Sequence, residues 1–179
     1  MRAKYKYNGP IDKHRSLIIS DEIALWIGRF LVGEGSSGSW LLDSALFWSS
    51  INRYFLHSYF VDSQLSFIDC LRINSMCLQP YSWMARGTYY TQDQKMDKSL
   101  CRLSYSDLKS DIKWHLQLAQ EGRLLPDILF TDTRISRWTL SSHYASLQKD
   151  VIKIEDFYFF SEADFLLPGT VVVDFWSGS

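Results

Sequence analysis

The apolar residues of this chain change period part-way along, and that change restricts the fold more than any other feature of its 179 residues. From Ile23 to about Met76, and again from Leu108 to Ala119, they recur at helical spacing. Beyond about residue 128 they come in short β-branched or aromatic runs with turn residues between them. The pattern predicts an α+β fold, mainly α: a helical body followed by a small C-terminal antiparallel β element. A single domain is expected over 20–179, preceded by an irregular N-terminal arm over 1–19 with a turn at Asn8-Gly9-Pro10.

Ser20 is a natural N-cap, with Asp21 and Glu22 where the helix dipole favours negative charge. Ile23, Trp26, Ile27, Phe30 and Leu31 then form an apolar stripe running to about Gly33. Leu41, Ala45, Trp48, Ile51 and Phe55 predict a second helix from Ser39 to about Leu56. Leu65, Phe67, Ile68 and Leu71 predict a third from Ser63 to about Met76. Pro80, Gly87 and the loss of period make Leu78 to Ser99 a long loop. Ser104 opens a fourth helix, with Asp107 at the capping-box position and Gly122 at C′. Strands are expected at Ile128–Phe130, Val151–Ile154, Phe157–Phe160 and Thr170–Phe175.

Composition narrows the function classes. The chain is 46% apolar and 22% charged with net charge −1, which argues against disorder and gives no electrostatic footprint for nucleic acid. Cys70, Cys77 and Cys101 are odd in number and form no Cys-x-x-Cys pair, so reduced thiols are expected. Cys70 and Cys77 share a face if their segment stays helical. The histidines His14, His57, His115 and His143 are scattered without metal-ligand spacing, and no cofactor motif is found. The basic N-terminus lacks the apolar segment of a secretory signal, and no run approaches the ~18 apolar residues of a membrane span. A product made in the cytoplasm is expected. Seven tryptophans and 16% aromatic residues suit a core of large side chains, or a groove for a ring-shaped ligand such as a sugar.

Glu34 is the leading candidate for chemistry. It lies four residues past Phe30, seven past Ile27 and eleven past Ile23, so it continues the buried stripe of its helix. Apolar surroundings raise a carboxyl pKa by disfavouring the charged form, which suits a general acid near neutral pH. Gly33, Gly35 and Gly38 remove side chains around it and leave room for a bulky ligand. A structural role is equally open, in which Glu34 satisfies helix-end amides or pairs with Arg53.

Gly33-Glu34, the turn Gly35-Ser36-Ser37-Gly38, and a helix ending in Ile51-Asn52-Arg53 together resemble the lysozyme-like cell-wall hydrolases of the spore-cortex-lytic type. In that family a helix ends in a catalytic glutamate, a small-residue turn follows, and the next helix carries a Leu-Asn-Arg-like triplet. The eighteen positions from Glu34 to Asn52 agree with that spacing. Phe67 to Cys70 and then Cys77-Leu78-Gln79-Pro80-Tyr81 resemble the segment leading into the family's Gln-containing substrate loop. The similarity covers roughly residues 23–85. Two departures stand out: the second acidic residue usual in the turn is replaced by Gly38 or its neighbours, and the turn's arginine is absent.

The resemblance implies a lysozyme-like helical body that cleaves peptidoglycan glycan strands, as a lytic transglycosylase or a muramidase-like hydrolase, with Glu34 as general acid and then base. A one-glutamate route fits best, because Asp43 and Asp62, the nearest second carboxylates, sit in no motif and suit surface solvation or capping. Ser36, Ser37, Asn52, Gln79, Tyr81 and Trp83 are the candidate substrate-binding residues. Each has a plainer role: Ser36 and Ser37 as N-caps, Asn52 as a satisfied interior amide, Trp83 as a loop pin. Without a secretory signal, such an enzyme is expected as a phage or prophage product acting at the cell wall or carried in a virion. The competing expectation is an inactive lysozyme-like scaffold that binds other virion proteins. A third is a helical protein that binds a host partner, with Glu34 purely structural.

Overall fold

A computed structural model describes residues 2–9, 16–35, 39–60, 64–78, 88–90, 97–124, 130, 132–162 and 169–175. The chain is mixed α+β with small antiparallel sheets.

Helix α1 (Asp21–Gly35) starts as expected: Ser20 Oγ accepts from the Ile23 N–H at 3.2 Å. Helix α2 (Trp40–Phe60) is likewise capped by Ser39, whose Oγ accepts from Leu42 N–H at 3.2 Å. It extends beyond the expected end at Leu56. The two helices bury Ile27, Phe30 and Leu31 against Leu46, Phe47, Trp48 and Ile51, the centre of the core. Helix α3 (Phe67–Asn74) is shorter than expected because Ser66, not Ser63, caps it, and the chain leaves α geometry at Ser75 for a 3₁₀ turn over Met76–Leu78. Cys70 and Cys77 therefore do not share one helical face.

Ser104 and Asp107 do pair, the carboxylate accepting from the Ser104 N–H at 2.8 Å. They close only a 3₁₀ turn, and helix α4 (Ser110–Glu121) begins after it. Gly122 ends α4 with φ +70°, a left-handed conformation that glycine adopts without strain.

Where it is described, the N-terminal arm is not irregular. Residues Ala3–Asn8 form strand β1, flanked by β2 (Ser16–Ile18) and by the C-terminal strand β8 (Thr170–Phe175), both antiparallel to it. Ala3, Tyr5 and Tyr7 point inward in strict alternation. Tyr5 reaches the Ala119 carbonyl of α4 with its hydroxyl and packs edge-on to Phe47 and Trp48. The long loop expected over 78–99 contains a short hairpin, β3 (Thr88–Tyr90) with β4 (Asp97–Ser99). A third sheet has the order β5 (Arg137–Thr139), β7 (Phe157–Ser161), β6 (Lys149–Ile154), with a short helix α5 (Ser142–Ser146) between β5 and β6. The expected single C-terminal β element is thus two: β8 leaves the β5–β7–β6 sheet and pairs with β1. Of the strand expected at 128–130, only Phe130 is described, and it is not in a strand. Among the described residues, no helix is long and apolar enough to cross a membrane.

Candidate functional site

Glu34 occupies the last turn of α1, in phase with Ile27 and Phe30, which are wholly buried, and is itself half-buried. Its Oε1 accepts a hydrogen bond from the Ser75 hydroxyl at 2.8 Å and lies 3.5 Å from the Cys77 thiol. Both donors come from the turn that ends α3. Ser75 is fixed there because its backbone N–H bonds the Leu71 carbonyl at 3.0 Å. The third wall is Trp138 of β5, whose ring packs against Phe30 with centroids 5.4 Å apart.

Burial pushes the Glu34 carboxyl above the usual carboxylate range. Ser75, Cys77 and the Trp138 indole oppose that shift without overcoming it. The indole N–H does not reach hydrogen-bonding geometry. The C-terminal end of α1, which carries no basic residue in its last turn, further disfavours a negative charge. The arrangement is a carboxyl whose protonated form burial favours, oriented by neutral donors and walled by an indole. It can hand a proton to a basic oxygen and hold the resulting carboxylate.

The space expected beside Gly33 and Gly35 is filled by the protein. A Cβ on Gly33 would lie 2.6 Å from Cys77 Sγ and 2.7 Å from Leu100 Cδ2, and one on Gly35 would collide with Asp43 Oδ1. These glycines admit neighbouring elements, not a ligand. Asp43 is correspondingly buried, 4% exposed, which corrects its expected surface role. Burial, then the charges of Asp111 and Glu155, push its carboxyl up to about 7.

Glu34 is not paired with Arg53. Arg53 bonds Glu162 Oε1 at 2.8 Å and Asn74 Oδ1 at 3.1 Å, and Arg137 of β5 reaches the same Glu162 oxygen. Asn52 is wholly buried, and its amide nitrogen faces three carbonyls, those of Phe130, Asp132 and Ile135, at 3.0, 3.2 and 2.9 Å. Three oxygens together demand the nitrogen on that side. The amide holds the 130–135 segment onto α2, and Thr133 continues the tie by donating to the Gly169 carbonyl from its backbone N–H and its hydroxyl. The contacts of Glu34 and Asn52 thus lie on different elements.

Ser36, Ser37, Gly38, Asp62, Gln79, Tyr81 and Trp83 lie outside the described residues. Sequence reasoning did not single out Ser75 or Trp138. Ser75 follows a helix-ending Asn, a signal for a cap, but nothing local marks Trp138, whose strand is three residues long. Among the described residues, no group of three or more His, Cys, Asp or Glu could hold a metal ion. The chain matches no protein-family model, no curated protein and no solved structure.

Proposed function

We propose that the chain cleaves the glycan strands of peptidoglycan, by lytic transglycosylase or muramidase-like chemistry on a lysozyme-like body, with Glu34 as general acid and then base. The observation that carries this reading is the state of Glu34: a half-buried carboxyl at a helix end, held by neutral donors, with burial favouring its protonated form. Glu34 protonates the glycosidic oxygen as its bond to C1 breaks. The positive charge that develops at C1 is met by the sugar's own acetamido or 6-hydroxyl group. The Glu34 carboxylate then takes a proton from the attacking 6-hydroxyl, closing an anhydro ring, or from water. A phage or prophage product that works at the wall or travels in a virion fits this chemistry.

The test is clearing of purified peptidoglycan by the wild type and by Glu34→Gln, which keeps shape and removes the transferable proton. Clearing by the variant should fall ~100-fold or more. Wild-type activity should fall as pH rises through the raised pKa of Glu34, so its alkaline limb should stand above the ordinary carboxylate range. Equal clearing by both proteins would end the proposal.

One observation favours a second reading, an inactive lysozyme-like scaffold that binds other virion proteins. Asn52, which the resemblance places near substrate, has its amide nitrogen engaged by three backbone carbonyls. No clearing by either protein would support the scaffold.

A further inference from the structure

Trp26 of α1, partly buried against the edge of the core, carries two guanidiniums over its ring. The Cζ of Arg29 is 4.5 Å from its ring centroid and that of Arg72, on α3, is 4.6 Å away. Each arginine is aimed by a single bond from its Nε: Arg29 to the Leu103 carbonyl at 2.9 Å, Arg72 to the Leu78 carbonyl at 3.2 Å. Those bonds hold the Nε edge of each guanidinium, and both arginines stay partly exposed.

Among the described residues, no carboxylate lies within ion-pair distance of either, and Asp69, one turn before Arg72, is exposed and unpaired with it. Burial weighs against the Arg29 charge; the neighbouring Cys101 favours it, and Arg72 adds repulsion. Two like charges held on one half-buried indole form a local field that an anion relieves.

This platform adjoins the Glu34 site. The 3₁₀ turn Met76–Leu78 sends the Cys77 thiol to Glu34 and the Leu78 carbonyl to Arg72, so one turn positions both. Along α1, Trp26 and Glu34 are separated by a rise of roughly 12 Å.

We propose that Arg29, Trp26 and Arg72 form a subsite for the carboxylates of the peptide stems carried by the glycan, an inference that rests on the peptidoglycan reading above. A carboxylate is planar and takes two parallel N–H donors from a guanidinium edge, and the indole beneath holds both guanidiniums in place. The subsite makes the chain a reader of stem-bearing glycan, distinct from bare glycan.

The experiment measures retention of the Glu34→Gln protein on insoluble peptidoglycan with its stems intact and on the same glycan stripped of peptides by an amidase. Binding is read without turnover, so its outcome is separate from that of the clearing test. Intact glycan should be bound about 10- to 100-fold more tightly than stripped glycan. Adding Arg29→Gln and Arg72→Gln should bring intact glycan down to the stripped level and leave stripped glycan unchanged. Lysine at both positions keeps the charge but loses the fork, and should restore only part of the difference. Arg123→Gln, on the surface beyond α4, should change nothing. If the double variant melts early, Arg72→Gln alone gives the same reading at a smaller amplitude. Equal binding of intact and stripped glycan, binding of neither, or full retention by the arginine variants would overturn the proposal.

Discussion

Glu34 and Glu162 are the same residue in opposite surroundings. Glu162, 14% exposed in its side chain, receives two guanidiniums on one oxygen, from Arg53 and Arg137. Glu34 receives a hydroxyl and a thiol. The first environment matches a carboxylate with opposite charge and stitches α2 to β5 and the end of β7. The second offers only neutral donors, so burial favours the proton. The lesson is that chemistry is located by which charge state the neighbours reward, not by how deeply a carboxyl is buried.

Glutamine at each position separates the two roles. Glu162→Gln leaves the Arg53 guanidinium, 8% exposed, without its counter-charge, and should cost about 3–5 kcal/mol in denaturant melts. Glu34→Gln resembles the protonated form and should leave stability unchanged at acid pH, below the raised pKa of Glu34, while abolishing clearing. Equal destabilisation by both would break the comparison and make Glu34 a structural residue. Asn52, next to Arg53 in α2, sharpens it. Asn52→Leu removes the donor from three carbonyls in the 130–135 segment and should cost about 2–4 kcal/mol. Hydrogen exchange should locate the loosening at residues 130–139, the approach to Trp138.

The phase of Glu34 with Ile27 and Phe30 was legible because helical period is a local property, and the raised carboxyl follows from it. Its partners were not, since Ser75, Cys77 and Trp138 arrive from α3 and β5, and no spacing in α1 refers to them. Strand β1 shows a subtler limit. Ala3, Tyr5 and Tyr7 alternate with Lys4 and Lys6, a period of two, yet beside Asn8-Gly9-Pro10 the run reads as a basic arm. The β-branched run of β8 marked a strand but not its partner, and the match of Lys4 to Asp174 and Tyr7 to Val171 joins opposite ends of the chain. Asn52 was misleading for the same reason: an amide that binds backbone carbonyls leaves no trace in the side chains it serves. Gly33 and Gly35 read as room for a ligand, but the space beside them is taken by Cys77, Leu100 and Asp43.

The smallest effect concerns a second pair of buried groups, where α2 meets α4. Asp43 is pushed up to about 7, whereas burial brings His115 down to about 4 despite the charge of Asp111. Ser44, next to Asp43 in α2, touches His115 Nε2 at 3.3 Å, and the charge of Asp111 acts on both Asp43 and His115. Between about pH 4 and 7 the folded chain holds a proton on Asp43 that the unfolded chain has released, and stability falls as pH rises. Between about pH 4 and 6.5 the unfolded chain protonates His115 while the folded chain does not, and stability falls as pH falls. The two slopes oppose each other in the same window and should nearly cancel in the wild type. Asp43→Asn should expose the histidine slope, with stability rising from pH 4 to 6.5 by on the order of 2 kcal/mol. His115→Phe, which suits a site ringed by Trp40 and Phe47, should expose the opposite slope. Thermal melts across that range in the two variants should therefore tilt in opposite directions. A common tilt would mean that Asp43 and His115 do not titrate against each other, and that burial alone does not separate the carboxyls of this fold into proton holders and ion-pair partners.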